Sequence, residues 1–271
     1  MCSVQFASDL HLEFYESKDY KFEDFIVSKA DILLLLGDIG NPKIETYKMF
    51  IHDCSLRFKH VLVISGNHEY YSNEDNNTTM SDTDDLIINI CNQHKNVTYL
   101  NNGKFTIKHD NKQIIFLGSA LWSLITKAER EIVKQVSNDL RSINDGDKLI
   151  TVEKINEIHK RNVDWLTASL EEIKNANENN TIVVILTHHL PSYKAISPKY
   201  RLDKYNSMYA SNLDHIIKKY KPQYWLFGHT HTRININIHD TKLYCNPRGY
   251  VLYDDEVENS KYNKEELLVL L

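Results

Sequence analysis

The 271 residues are 42% hydrophobic and 25% charged, enough apolar material for a sizeable core, which excludes disordered and fibrous classes. A balance of 32 Lys and Arg against 37 Asp and Glu leaves a net charge of −5 with no basic block, so a general nucleic-acid coat is excluded as well. Cys2, Cys54, Cys91 and Cys245 form no C-x-x-C pair and read as reduced thiols of a cytoplasmic protein.

The chain opens Met1-Cys2-Ser3-Val4-Gln5-Phe6, without a basic or apolar leader, and predicts no signal peptide. Strands are predicted at 4–7, 32–36, 61–64, 114–117, 182–186 and 224–227, each a short run of Val, Ile, Leu or aromatic residues. None nears the roughly 18 apolar residues of a membrane span, so the chain is expected to be soluble, with no membrane partner. Helices are predicted at 43–57, 84–94, 128–136, 151–173 and 213–220; in the fourth, Ile155, Ile158, Leu166, Leu170 and Ile173 recur at helical spacing. Two hairpins are expected, one joining 97–100 to 104–108 across Asn101-Asn102-Gly103, the other joining 233–238 to 242–245 across His239-Asp240. Residues 72–83 and 192–207 read as loops. Alternating strands and helices predict a layered α/β fold with mixed sheets.

Five of the apolar runs end in metal-ligand residue types: Ser8-Asp9-Leu10-His11, Gly37-Asp38, Gly66-Asn67-His68-Glu69, Thr187-His188-His189 and Gly228-His229-Thr230-His231. Ligands collect beyond the carboxyl ends of strands in α/β sheets, so five distant segments are predicted to meet there. Gly37, Gly66 and Gly228 each precede a candidate ligand, where a sharp turn out of a strand favours a residue without Cβ. Asp9, His11, Asp38, Asn67, His188, His229 and His231 supply imidazole, carboxylate and one carboxamide oxygen, a set suited to Mn, Fe or Zn. Seven ligands exceed one tetrahedral ion and fit two ions roughly 3.5–4 Å apart with a bridging carboxylate. A lone D-x-H arises about once by chance in a chain of this size; the ordered set behind strands does not. His189 either faces substrate or packs beside a ligand, His159 reads as structural, and Glu69, Tyr70 and Tyr71 as shaping their loop. No G-x-S-x-G, Walker glycine loop or dinucleotide fingerprint is present.

These ordered blocks, D-x-H, G-D, G-N-H-E, a histidine-bearing strand end and G-H-T-H, resemble the calcineurin-like metallophosphoesterase superfamily over residues 4–231. The tail Cys245-Asn246-Pro247-Arg248-Gly249-Tyr250 and the stretch Thr187-His188-His189-Leu190-Pro191-Ser192 resemble a prokaryotic-type subgroup, extending the match along the chain. The resemblance implies a single domain over 1–271, a four-layer α/β/β/α sandwich of two mixed β-sheets flanked by helices. It implies one metal held by Asp9, His11 and His231, a second by Asn67, His188 and His229, and Asp38 bridging, with His188 rather than its neighbour as the ligand. The second block, Gly37-Asp38-Ile39-Gly40-Asn41-Pro42, lacks the arginine of the protein Ser/Thr phosphatase branch.

Two divalent ions, manganese first and iron or zinc as alternatives, would lower the pKa of a bridging water so that hydroxide attacks phosphorus directly. His68 then contacts the phosphoryl group or protonates the leaving oxygen, making it and Asp38 the catalytic pair; His189 and Arg248 are candidate substrate contacts. The expected activity is hydrolysis of phosphodiester bonds in small or nucleotide substrates. A phosphomonoesterase or protein phosphatase is the alternative, and a non-catalytic scaffold is disfavoured by the intact histidines. Specificity is expected in the 119–148 and 192–207 segments. In the latter, Tyr193, Tyr200 and Tyr205, with Tyr209 beyond, interleave with Lys194, Lys199, Arg201 and Lys204, a pattern suited either to stacking a base and holding phosphate or to a solvated loop.

Overall fold

The computed structural model describes residues 2–72, 78–176, 180–251, 258–259 and 261–270. The centre of the predicted 72–83 loop, residues 73–77, lies outside them.

Buried runs of aliphatic residues build two sheets. In the first, β1 (Cys2–Ala7), β2 (Ile32–Leu36), β3 (His60–Ile64) and β4 (Val97–Tyr99) run parallel, and a late strand (Leu267–Leu270) adds antiparallel beside β1. In the second, β5 (Gly103–His109) and β6 (Lys112–Ser119) form an antiparallel pair beside a parallel core. After a two-residue-stranded hairpin, β7 (Asn144–Asp145) with β8 (Lys148–Leu149), that core continues as β9 (Thr181–Thr187), β10 (Tyr224–Phe227) and β12 (Thr241–Cys245). β11 (Ile234–Ile238) closes the edge antiparallel to β12, and the late strand of the first sheet is β13.

The period of two along each strand decides the layering. Ile32, Leu34 and Leu36 point into one apolar layer with Phe6, Phe116, Val184 and Leu226, so the two sheets pack face to face. Leu33 and Leu35 point the other way, against Tyr47, Phe50 and Ile51 of α1 (Glu45–Arg57) and Ile87 and Ile90 of α2 (Met80–Cys91). On the far side, Val183, Ile185 and Trp225 meet Leu166 and Leu170 of the long helix at Val152–Ala176 and Ile216 and Ile217 of the helix at Asp214–Tyr220. Two shorter helices, α3 (Arg130–Val136) and α4 (Asp139–Ser142), lie in the 119–148 segment, making the long helix α5 and the next one α6. The result is the four-layer sandwich of two mixed sheets flanked by helices.

The 97–100/104–108 hairpin does not form. β4 pairs parallel with β3, whereas β5 pairs with β6 in the other sheet, so Asn101-Asn102-Gly103 is the crossing between sheets. Leu100 explains it: its N–H donates to the Val63 carbonyl at 2.8 Å, continuing the first sheet, while its side chain lies in the intersheet layer. A Cβ on Gly118 would come within 2.5 Å of Leu100, so that close approach requires glycine. Asn102, with φ 52°, reverses the chain as its residue type suggests; turn chemistry marks a reversal without naming the partner of the next strand. The 233–245 hairpin is present. Helix α2 begins at Met80 rather than 84 because Thr79 and Asp82 form a reciprocal capping box. The 192–207 segment is not featureless: it carries short 3₁₀ turns at Tyr193–Ala195, Pro198–Tyr200 and Asn206–Met208.

Candidate metal centre and active site

All seven predicted ligands converge just past the carboxyl ends of β1, β2, β3, β9 and β10, at one end of the two packed sheets. Backbone bonds tie the strand ends together: Asp9 N–H donates to the Gly37 carbonyl (3.0 Å), His11 N–H to Asp38 (3.1 Å), and Gly228 N–H to His188 (3.0 Å). The sharp turns are made mostly by the ligands themselves. Asp9, His11, Asp38, His229 and His231 all adopt φ between 45° and 66°, a left-handed conformation uncommon among non-glycine residues. Of the flanking glycines only Gly37 (φ 83°) turns with positive φ; Gly66 is needed for closeness, since a Cβ there would sit 2.2 Å from Asp38 Oδ1.

Lone pairs face one another across this centre. His11 Nδ1 lies 3.0 Å from Glu13 Oε1 and His231 Nδ1 lies 2.6 Å from Glu258 Oε2. A carboxylate only accepts, so each Nδ1 carries a proton, and the two Nε2 atoms meet 3.2 Å apart with Asp9 Oδ1 3.4 Å from His231 Nε2. In the second set His188 Nδ1 donates to the Leu36 carbonyl, turning Nε2 toward Asn67 Oδ1 (3.1 Å), His229 Nδ1 (3.2 Å) and Asp38 Oδ2 (3.4 Å). Asn67 has its amide nitrogen committed to Asp139 Oδ1 (2.8 Å) and the Tyr71 hydroxyl (3.1 Å), which aims its oxygen inward. With the Nε2 protons of His188 and His231 displaced, the converging atoms fit a cation, and the outer partners of His11, His188, His231 and Asn67 are of the kind that orient ligands in metal sites. Among the described residues, three groupings can hold an ion: Asp9, His11 and His231; Asp38, His188 and His229; and His11, Asp38 and His68.

The electrostatics agree. Burial alone would raise the Asp9 and Asp38 carboxyls, yet facing histidines hold both below the usual carboxylate range. Burial would lower His188 and His231, but Asp38 and Asp9 lift the first to about 9, and Asp9 with Glu258 lift the second to about 10. The buried acids thus demand positive charge at the positions where the ligands converge.

His68 is placed beside the ligands, as predicted. Its N–H donates to Asp38 Oδ1 (2.8 Å), its Nδ1 lies 2.9 Å from the same Glu13 Oε1 that binds His11, and its Nε2 lies 3.1 Å from the Tyr250 hydroxyl. Burial would lower its pKa, but Asp38 and Glu13 push it up to about 9. Glu69 shapes its loop by accepting the N–H groups of Asp38, Ile39 and Gly66. A cleft of about 260 Å³ opens over the centre, lined by Asp38, Asn67, His68, His229, His231 and Tyr250 on the ligand side.

Two predicted substrate contacts are not brought into this cleft. His189 is fully buried and stacks on Trp122 (5.0 Å, 29°), where desolvation pushes its pKa down to about 3. Arg248 is also buried, its guanidinium held over Phe25 (4.7 Å) and Tyr15 (5.2 Å), while its N–H donates to the Ser8 carbonyl; it pins the C-terminal turn. Sequence reasoning missed Glu13, Asp139 and Glu258. Glu13 had a visible signal, lying two residues past His11; Asp139 and Glu258 approach from distant loops whose sequence carries none.

The chain is similar to known proteins in sequence and in fold. An uncharacterized protein of Acanthamoeba polyphaga mimivirus is 29% identical over 265 residues, 91% of each chain. Among solved structures, phosphopantetheinyl hydrolase of Mycobacterium tuberculosis superposes with a TM-score of 0.71 at 16% identity, covering 92% of this chain and 89% of that one. A Staphylococcus aureus protein assigned as a 5'-nucleotidase gives 0.50 at 13% identity over 90% of this chain and 48% of its own. The sequence profile of calcineurin-like phosphoesterases matches residues 3–233, a span that contains every converging ligand, and the chain belongs to that family.

Proposed function

We propose that residues 1–271 act as one domain, a phosphodiesterase for small or nucleotide substrates whose centre takes two divalent ions, manganese foremost. The observation that carries this reading is the meeting of two sets of lone-pair donors, Asp9/His11/His231 and Asn67/His188/His229, with Asp38 reaching both. Bound at these positions, two divalent cations supply a water acidic enough to attack at neutral pH and charge to offset the phosphoryl oxygens. Asp38 fixes the spacing between the two sets. Glu13 holds the proton on His68 Nδ1, which leaves Nε2 directed at the cleft to give its proton to the departing oxygen. Four free, buried cysteines are consistent with a cytoplasmic setting, and among the described residues no helix is long and apolar enough to cross a membrane.

Charge favours the diester. A monoester dianion carries one more negative charge, which monoesterases commonly meet with arginine. No Lys or Arg is among the described residues lining the cleft, which include Asp38, Asp139, Asp203 and Glu258. With Mn²⁺ at neutral pH, bis(p-nitrophenyl) phosphate should exceed p-nitrophenyl phosphate in kcat/KM. A monoester preference of more than about tenfold, roughly 1.4 kcal/mol, would establish a phosphomonoesterase instead.

A further inference from the structure

The cleft has a second side that the metal chemistry does not use. Tyr209 packs on His229 (ring centroids 5.1 Å apart), and Tyr205 follows Tyr209 at 6.3 Å, so aromatic rings lead outward from a ligand histidine. Tyr200, Ile196, Met208 and Leu190 complete the apolar lining. This wall belongs to the 190–209 segment and is held in place from within. Buried Asn206 donates to the carbonyls of Tyr200 (2.9 Å), Arg201 (3.3 Å) and Asp203 (3.1 Å). Ser207 N–H donates to Glu129 Oε2 (2.7 Å), the Met208 carbonyl accepts from Ser123 Oγ (2.7 Å), and Leu190 N–H donates to the Tyr209 carbonyl (3.1 Å). A wall so fastened spends little ordering entropy on binding.

Charge on this side is acidic. Asp203 and Asp139 line the cleft, whereas the basic residues of the segment are not among its described lining: Lys194 pairs with Asp214 (2.7 Å), Arg201 Nε meets the Ile196 carbonyl (3.4 Å), Lys199 lies over the Tyr200 ring (4.8 Å) and Lys204 is exposed.

Resting on the phosphodiesterase reading, we infer that the Tyr200/Tyr205/Tyr209 wall is a subsite for a flat, uncharged aromatic group esterified to the phosphate, so that the phosphodiester is the substrate's one anion. The ring stacks beside the phosphoryl position because Tyr209 already touches His229. A second anionic group on that ring would face Asp203 and Asp139, with no Lys or Arg among the described residues that line the cleft.

The test uses p-nitrophenyl diesters that differ in the second ester group. Phenyl p-nitrophenyl phosphate should exceed methyl p-nitrophenyl phosphate in kcat/KM by about tenfold or more, the size of aromatic stacking effects. Adding a carboxylate to the phenyl ring should reverse most of that gain. Tyr205→Ala should bring the phenyl-to-methyl ratio near one and Tyr205→Phe should keep it. A ratio near one in the wild-type protein, with both diesters hydrolysed, overturns the subsite and leaves the phosphodiesterase reading intact. Faster turnover of p-nitrophenyl phosphorylcholine than of the phenyl ester also overturns it, in favour of a cationic occupant. If diesters are not hydrolysed and the monoester is, the phosphodiesterase reading falls. Calorimetry on Mn²⁺-loaded protein then decides the subsite alone, by diphenyl phosphate binding about tenfold tighter than dimethyl phosphate or equally.

Discussion

His11, His188, His231 and Asn67 each aim one atom inward and commit the other to a partner, and Asp38 and Glu13 are each used twice. Asp38 receives the His68 N–H on Oδ1 and faces His188 Nε2 with Oδ2, so a neutral amide there would disturb both ligand sets. Asp38→Asn should abolish turnover even in saturating Mn²⁺; near wild-type activity would contradict a shared carboxylate. Glu13 Oε1 serves both His11 and His68, coupling a candidate ligand to the proposed proton donor. His68→Ala should lower kcat about 10²–10⁴-fold, the usual worth of a positioned acid, with metal content by elemental analysis unchanged. Loss of one metal equivalent would instead make His68 a ligand, as its grouping with His11 and Asp38 permits.

At the scale of elements, strands deliver ligands and loops orient them. The C-terminal ends of β1, β2, β3, β9 and β10 bring the donors, and their apolar runs make them legible in the sequence. The orienting groups come from elsewhere. Asp139, the first residue of the one-turn helix α4, accepts from both Asn67 Nδ2 and the Tyr71 hydroxyl (2.7 Å), and these bonds decide which way the Asn67 amide points. Asp139→Ala should therefore weaken metal binding at the Asn67-containing set about 10–100-fold, as loss of an outer hydrogen-bond partner does, while the Asp9/His11/His231 set keeps its affinity. Calorimetric titration with Mn²⁺ separates the two, and equal weakening at both would point to a general loss of structure.

For the whole molecule, the centre links metal, protons and stability. Without metal, His188 and His231 have folded pKa values of about 9 and about 10, above the ordinary 6.5 of an unfolded histidine. A raised histidine pKa contributes stability in full below about pH 6.5, and that contribution is lost as pH rises through the folded value. Chelator-treated protein should therefore melt at progressively lower temperature from pH 7 to pH 10. Metal displaces these protons, so the rise in Tm on adding Mn²⁺ should widen over the same range, and a pH-independent increment would contradict the ligand assignment.

The sequence by itself determined the layering and which metal-ligand residue types converge at the strand ends. Both follow from local regularities, apolar period two along strands and metal-ligand residue types at strand ends, that any parallel packing of those strands carries to one edge. It could not determine where the chain crosses between sheets, since the reversal at Asn102-Gly103 is compatible with either partner for β5 until Leu100 is packed beside Gly118. Nor could it tell that Arg248 turns toward Phe25 and Tyr15 while Glu13, Asp139 and Glu258 turn toward the ligands. Those roles depend on side-chain direction and on loops meeting across long stretches of chain, and only the packed tertiary structure fixes either.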